Sequence, residues 1–348
     1  MRKWKPSYSA MAAAAALALA HSGTAALAES PEEFFAGKTL TLMHVTGPGG
    51  TMDLASLLAI DYMTRYLPEG TEIVLEHRGG GGGIVGTNFA YNAAPKDGTY
   101  FFMPTPSLVP LTFARPDEAL YDPSELQPLG RVLDSPRVFV ARADSGVETF
   151  EDLMDRPVTH STMPPGSTAW TVATATNEVL GTQLDIIPGY DGGGPMFVAL
   201  AQGEVESTTA EHGNLLANQW HLVEDGTINV LAQTGLEPVE GLGDVPLWTD
   251  FIPEDSETRG VVDVLAGGSG MGLSLFLPPE VPQDRVDYLR GIMEEAMNDP
   301  ELIAEADERN IPLPPWQDWQ YVEQQVAEAM DQPDEVKNWF RDSVAEAD

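Results

Sequence analysis

Thr39-Leu40-Thr41-Leu42-Met43-His44-Val45, followed by Thr46-Gly47-Pro48-Gly49-Gly50-Thr51-Met52-Asp53, decides the fold. Four apolar side chains in seven residues, bounded by a Gly/Pro turn, read as a buried strand. Leu54, Leu57, Leu58, Tyr62 and Tyr66 then recur at helical spacing and predict an apolar helix face, with Asp61 and Arg65 placed to pair at i, i+4 on the other side. Pro68-Glu69-Gly70 stops that helix. Residues 71–76 predict a second strand, 79–83 form a glycine loop, 84–93 a second helix and 99–103 a third strand. Such strand–helix alternation is the signature of parallel α/β units.

Further strands are expected at 137–141, 157–162, 184–188 and 227–233, with helices beginning near Ser167 and running from Pro195 to Gln202. Beyond Gly267 three helical patterns close the chain. One stripe is Val286, Leu289, Met293 and Met297, another is Trp319, Val322, Val326 and Met330, and the third covers residues 336–344. Pro312, Pro314 and Pro315 separate the first two.

The 348 residues carry 54 acids against 18 bases. The first 28 hold three bases and no acid, so the remaining 15 bases against 54 acids leave −39. That balance excludes an electrostatic nucleic-acid binder, which needs clustered Lys and Arg, and argues against an anionic membrane surface. A hydrophobic content of 43% with regular patterning is enough for a packed core, so the charge does not signal disorder. It suits either a saline exterior or an acidic solvated surface without habitat meaning. At roughly 150 residues per domain, the remaining length suggests two domains.

Arg2, Lys3 and Lys5, the apolar run 10–20 and Ala26-Leu27-Ala28 form an export signal with cleavage expected after Ala28. The run is shorter than the about 20 residues a spanning helix needs, which leaves a retained anchor as the alternative. No cysteine is present, so neither disulfides nor a lipid-modified cysteine is available. The expected product diffuses freely in the periplasm.

Glycine loops that follow a strand and open a helix lie where ligands bind in open parallel sheets. The unpaired first amides there carry the positive end of the helix dipole and suit a carboxylate or phosphate. Gly49 and Gly50, then Gly80 to Gly83, allow close approach, although turn formation and helix packing alone also call for glycine. Asp53 orders this loop, reaches ligand through water, or simply serves its helix dipole; Thr51 is an N-cap or a ligand hydroxyl. Gly166-Ser167-Thr168-Ala169-Trp170 and Pro188-Gly189-Tyr190 repeat the arrangement, with Trp170 and Tyr190 as pocket walls or core aromatics.

Gly81-Gly82-Gly83-Ile84-Val85-Gly86 meets the dinucleotide fingerprint only formally, inside a five-glycine run on the second strand, and Asp97 lies in a turn rather than at a strand end. A P-loop and a G-x-S-x-G elbow are absent. His44, His77, His160, His212 and His221 include no H-E-x-x-H and no pair at i, i+4, so neither a metal site nor a cofactor is expected. Acidic pairs such as Glu294-Glu295 read as a solvated helix face.

These residues resemble the substrate-binding proteins of tripartite tricarboxylate transporters, the Bug or TctC-like family. The pattern P-x-G-G-x-x-D, strand ending E-N, P-G-A-G-G-x-x-G and A-x-P-D-G-x-T is matched by Pro48-Gly49-Gly50-Thr51-Met52-Asp53, by Glu76-His77-Arg78-Gly79-Gly80-Gly81-Gly82-Gly83-Ile84-Val85-Gly86 and by Ala94-Pro95-Lys96-Asp97-Gly98-Thr99. The likeness resumes at Gly166-Ser167-Thr168, Pro188-Gly189-Tyr190, Asp244-Val245-Pro246, Leu277-Pro278 and Pro282-Gln283-Asp284. Departures are His77 for Asn, Gly79 for Pro, Gly81 for Ala and Trp170 for a common His, and residues 255–272 match no part of the pattern.

The resemblance implies a periplasmic-binding-protein-like α/β fold of type II, two lobes with a ligand cleft between them. Lobe 1 is expected to comprise 29–133 plus 255–348, and lobe 2 to comprise 134–254. It implies a monomer that captures a di- or tricarboxylate or an aromatic acid and delivers it to membrane permease subunits, with no cofactor and no reaction. The implied ligand-binding residues are Gly49, Gly50, Thr51, Asp53, Gly82, Gly83, Thr105 and Ser107 in lobe 1, and Gly166, Ser167, Thr168 and Tyr190 in lobe 2. An exported enzyme on a doubly wound α/β fold and a ligand-sensing receptor module stand as alternatives.

Overall fold

The computed structural model describes Met1 and residues 29–48, 50–239, 241–253, 256, 258–309, 311 and 313–345. The export signal and Gly49 therefore lie outside the described residues, Met1 apart. No helix among the described residues is long and apolar enough to cross a membrane.

After α1 (Pro31–Phe35), β1 (Thr39–His44) buries Leu40, Leu42 and Met43 as an interior strand of the first sheet. Crossovers through α2 (Thr51–Tyr66) and α3 (Ile84–Asn92) place β2 (Glu72–His77) and β3 (Tyr100–Met103) parallel to it on either side. Strand β2 starts and ends one residue later than expected. α4 (Leu108–Ala114) leads to β4 (Gln127–Leu133), an edge strand the pattern did not reveal. On α2 the Asp61–Arg65 pair forms at 3.4 Å, but Leu57 is 54% exposed. Of the expected face Leu58 and Tyr62 are buried, and the helix adds Ala55, Ala59 and Met63 to it, because the small Ala55 and Ala59 let it approach closely.

A crossover at Asp134–Pro136 enters the second sheet, built from β5 (Arg137–Arg142), β6 (Val158–Ser161), β7 (Leu184–Ile187), β8 (Ser207–Glu211) and β9 (Ile228–Gln233). Its helices are α5 (Asp152–Asp155), α6 (Thr168–Leu180), α7 (Gly193–Gln202), α8 (His212–Asn218) and α9 (His221–Glu224). The strand order β7-β6-β8-β5-β9 contains parallel β6–β7 and β6–β8 pairs and antiparallel β5–β8 and β5–β9 pairs. Alternation on β5 sends Val138 and Val140 to one core, Phe139 and Ala141 to the other. Strand β8 escaped the hydrophobic pattern because it is polar yet buried. Ser207 and Thr209 bond the two ring nitrogens of His160 at 2.8 and 2.9 Å, and Thr208 donates to the Ser161 carbonyl at 3.0 Å.

The chain then returns through α10 (Arg259–Met271) and β10 (Leu273–Leu277). β10 slots antiparallel between β3 and β4, which completes the order β2-β1-β3-β10-β4. Phe102 and Phe276 meet across this pairing with ring centroids 6.2 Å apart. Four helices follow rather than three: α11 (Gln283–Met297), α12 (Pro300–Glu308), α13 (Trp319–Met330) and α14 (Asp334–Ala345). Each sheet thus combines a parallel βαβ unit with an antiparallel strand that arrives from the other half of the chain, the two-lobed α/β architecture expected.

Candidate ligand-binding cleft

Three loops meet at the C-terminal edge of β1, β2 and β3. Gly50 is the extended N-cap of α2 (φ −113°, ψ −175°), so the first amides of that helix point out of the sheet. Gly83 caps α3 at φ 109°, and a Cβ there would lie 2.9 Å from the Val45 Cγ2. Only glycine fits that turn. Three residues on, a Cβ at Gly86 would lie 2.5 Å from the Arg78 carbonyl oxygen, so this glycine serves helix–strand packing. Thr105 donates its hydroxyl to the Gly82 carbonyl at 3.3 Å and so ties the third loop to the second.

The opposing loop belongs to the second sheet. Ser167 is the extended N-cap of α6, and its Oγ accepts the Trp170 amide at 3.3 Å. The loops touch across the gap. Ser107 Oγ and Thr168 Oγ1 are 2.8 Å apart, and a Cβ on Gly82 would lie 3.8 Å from the Gly166 carbonyl oxygen. Thr51 donates to Glu211 Oε2 at 3.1 Å, while Ser135 at the crossover donates to Oε1 of the same carboxylate at 3.3 Å. Trp339 of α14 also bonds Glu178 of α6. The halves are therefore closed on one another. A cavity of about 200 Å³ lies at this boundary, lined by Gly50, Thr51 and Leu54 on one side, Gly213, Asn214 and Asn218 on the other, and Asp134 at the crossover.

Of the residues singled out from sequence, Thr51, Gly82, Thr105, Ser107, Gly166, Ser167 and Thr168 thus come together along one seam, with Gly50 and Gly83 capping the helices behind it. Tyr190 stands apart, its hydroxyl donating to Glu204 within its own half at 3.2 Å. Trp170 is buried at 8% exposure but belongs to neither hydrophobic core cluster. Asp53 faces inward: His44 Nε2 and His77 Nε2 both lie on its Oδ1, at 2.8 and 2.6 Å.

Sequence reasoning missed the charged groups at the crossover. Glu211 ends β8, opposite Arg137 at the start of β5. Burial pushes Asp134 up to about 6, opposed by Arg131 and reinforced by Glu211. Burial lowers the Arg137 guanidinium, with the Glu211 charge opposing. No local motif marks these residues, because only the pairing of β5 with β8 brings the crossover and Glu211 together.

Residues 59–336 match the family described as tripartite tricarboxylate transporter family receptor, TctC. No curated protein sequence matches the chain. A TctC solute-binding protein from Polaromonas superposes with TM-score 0.64 at 17% identity, covering 88% of this chain and 98% of that one. MatC from Rhodopseudomonas palustris, with bound malate, gives 0.62 at 19% over 88% and 98%. An adipate-bound R. palustris protein gives 0.62 at 21% over 86% and 95%. These likenesses show the fold, and the family match carries the assignment. The chain belongs to the tripartite tricarboxylate transporter family receptors, two-lobed solute-binding proteins and not enzymes.

Proposed function

We propose that this chain captures a small organic carboxylate between its lobes and delivers it to the membrane permease of a tripartite tricarboxylate transporter. The observation that supports this most is the seam itself. The N-terminal ends of α2 and α3 open on it from one lobe and that of α6 from the other, joined by the Ser107–Thr168 contact at 2.8 Å. Helix N-termini that converge from two lobes supply the positive partial charge that a carboxylate seeks, at a place where the chain as a whole is acidic. Glu211 at the seam accepts from the Thr51 and Ser135 hydroxyls, and Asp53 is turned inward onto His44 and His77.

A di- or tricarboxylate or an aromatic acid fits this reading, and the malate and adipate bound by the two R. palustris proteins set the first compounds to try. In this reading lobe 1 comprises 29–133 plus 255–348 and lobe 2 comprises 134–254. The chain is exported to the periplasm with cleavage after Ala28 and works as a monomer. The proposed contact residues are Gly49, Gly50, Thr51, Gly82, Gly83, Thr105, Ser107, Gly166, Ser167 and Thr168, with Asp53 ordering the first loop; Tyr190 would join them only by leaving Glu204. Closing on ligand is a hinge motion driven by tighter binding to the closed state.

The test is a thermal-shift and calorimetric screen of C4–C6 dicarboxylates, citrate and benzoates against their neutral amides. A bound acid raises the unfolding midpoint with its concentration relative to its Kd. Failure of every acid, with success of a neutral sugar or an amine, overturns the reading.

A further inference from the structure

Three side chains from separate segments converge at the C-terminal edge of the first sheet. His44 closes β1, His77 closes β2, and Asp53 sits in the first turn of α2. The parallel register sets His44 directly opposite His77, so the imidazoles are neighbours with centroids 4.4 Å apart at 83°. Both Nε2 atoms lie on Asp53 Oδ1, at 2.8 and 2.6 Å, and the three candidate ligand atoms all fall within 4.8 Å of one another. We propose that His44, Asp53 and His77 form a binding site for a divalent transition-metal ion of the Zn²⁺ or Ni²⁺ class.

The donor set decides the class of ion. Two imidazole nitrogens and one carboxylate suit borderline metals, whereas Ca²⁺ and Mg²⁺ take all-oxygen shells. Tetrahedral bonds of about 2.0–2.2 Å put ligand atoms about 3.4 Å apart, so both nitrogen–carboxylate separations have to open by less than about 1 Å, through movement of the Asp53 carboxylate and of one imidazole. The imidazole able to move is that of His77, which is 33% exposed, while His44 is fully buried and holds its place. His44 also has the outer partner that a metal-bound imidazole needs. Its Nδ1 accepts the Thr46 amide at 3.4 Å and lies 3.1 Å from the Thr46 hydroxyl; with Nε2 on the metal, Nδ1 takes up the proton and donates it to that hydroxyl, which itself reaches Met52 Sδ at 3.6 Å. Three protein ligands leave a fourth position for water. Thr51, in the same first turn of α2 as Asp53, touches the second lobe through Glu211, so this ion would lie within one helical turn of a contact between the lobes. It would bring two positive charges to a chain whose formal charge is −36.

Metal binding is tested without any organic ligand. Tag-free chain, freed of metal by a chelator and dialysed, is titrated with ZnCl2 and with NiCl2 against a chromophoric competitor at pH 7.5. One site of micromolar or tighter affinity is expected. His77→Asn retains a donor for Asp53 at an exposed position and should weaken that site at least tenfold, as should Asp53→Asn, while His221→Asn on the surface leaves it unchanged. X-ray absorption of the zinc form should show two imidazoles. Absence of a stoichiometric site, or an affinity equal in the wild type and in folded His77→Asn, overturns the proposal.

Discussion

Ser107 and Thr168 hold each other hydroxyl to hydroxyl at 2.8 Å, one from the loop after β3 and the other from the first turn of α6. The contact joins the two lobes through residues 61 positions apart in sequence. One such hydrogen bond contributes about 1 kcal/mol. Ser107→Ala and Thr168→Val should each raise the Kd of the tightest-binding acid by about three- to tenfold by calorimetry, with little change in unfolding midpoint. Unchanged affinity in both variants would show that the contact does not belong to the bound state.

The glycine loops divide into positions that tolerate a methyl group and positions that do not. A Cβ on Gly86 would meet the Arg78 carbonyl oxygen at 2.5 Å, whereas one on Gly50 meets nothing within 4 Å. Gly86→Ala should therefore lose about 1–3 kcal/mol in chemical denaturation through overpacking. Gly50→Ala should fold as the wild type does, so any loss of acid binding there reports on the first amides of α2. Equal stability of all three proteins would refute the packing role given to Gly86.

Acid should unfold the second lobe through its buried histidines. Burial holds His160 down at about 3 and His212 at about 4. Between these values and the ordinary 6.5 the unfolded chain binds more protons, so stability is complete above pH 6.5 and falls as the pH drops, by up to about 1.4 kcal/mol per unit for each histidine. Asp134, raised to about 6, works in the opposite sense, and stability from this group falls as pH rises from about 4 to 6. Two histidines outweigh one aspartate, which leaves a net loss of about 1.4 kcal/mol per unit on going from pH 6 to pH 4. Urea denaturation at pH 7.5, 6 and 5 measures the slope. His160→Gln should flatten it, and a slope identical to that of the wild type would remove His160 from the account.

Association should respond to salt in the sense set by the whole chain. At −36, a dicarboxylate is repelled from afar, and the Debye length shrinks from about 30 Å at 0.01 M to about 10 Å at 0.1 M. Stopped-flow on-rates should then rise a few-fold over that range. A steep fall would mean that a locally basic entrance dominates.

Local patterning determined a great deal. The apolar run 39–45, the glycine turns and the 3.6-residue stripes announced β1, α2, α3, α11 and α13, because each buries a periodic apolar face that its own segment encodes. Strand β8 and helix α10 were not legible. The first carries hydroxyls whose burial makes sense only beside His160 and Ser161. The second is a glycine-rich segment whose partners, α4 and α13, lie far along the chain.

The same division runs through the site. Glycine, hydroxyl and helix-start signals marked Thr51, Gly82, Gly166, Ser167 and Thr168, since a helix N-terminus is a local object with a local charge, while Thr105 and Ser107 were marked by the family resemblance alone. That Ser107 meets Thr168, that Thr51 reaches Glu211, and that His44 stands beside His77 over one oxygen of Asp53 was decided by strand order and register alone. Interactions between side chains dozens of residues apart leave no periodic trace in the chain, so only the pairing of β1 with β2 and the closure of one lobe on the other bring them into being.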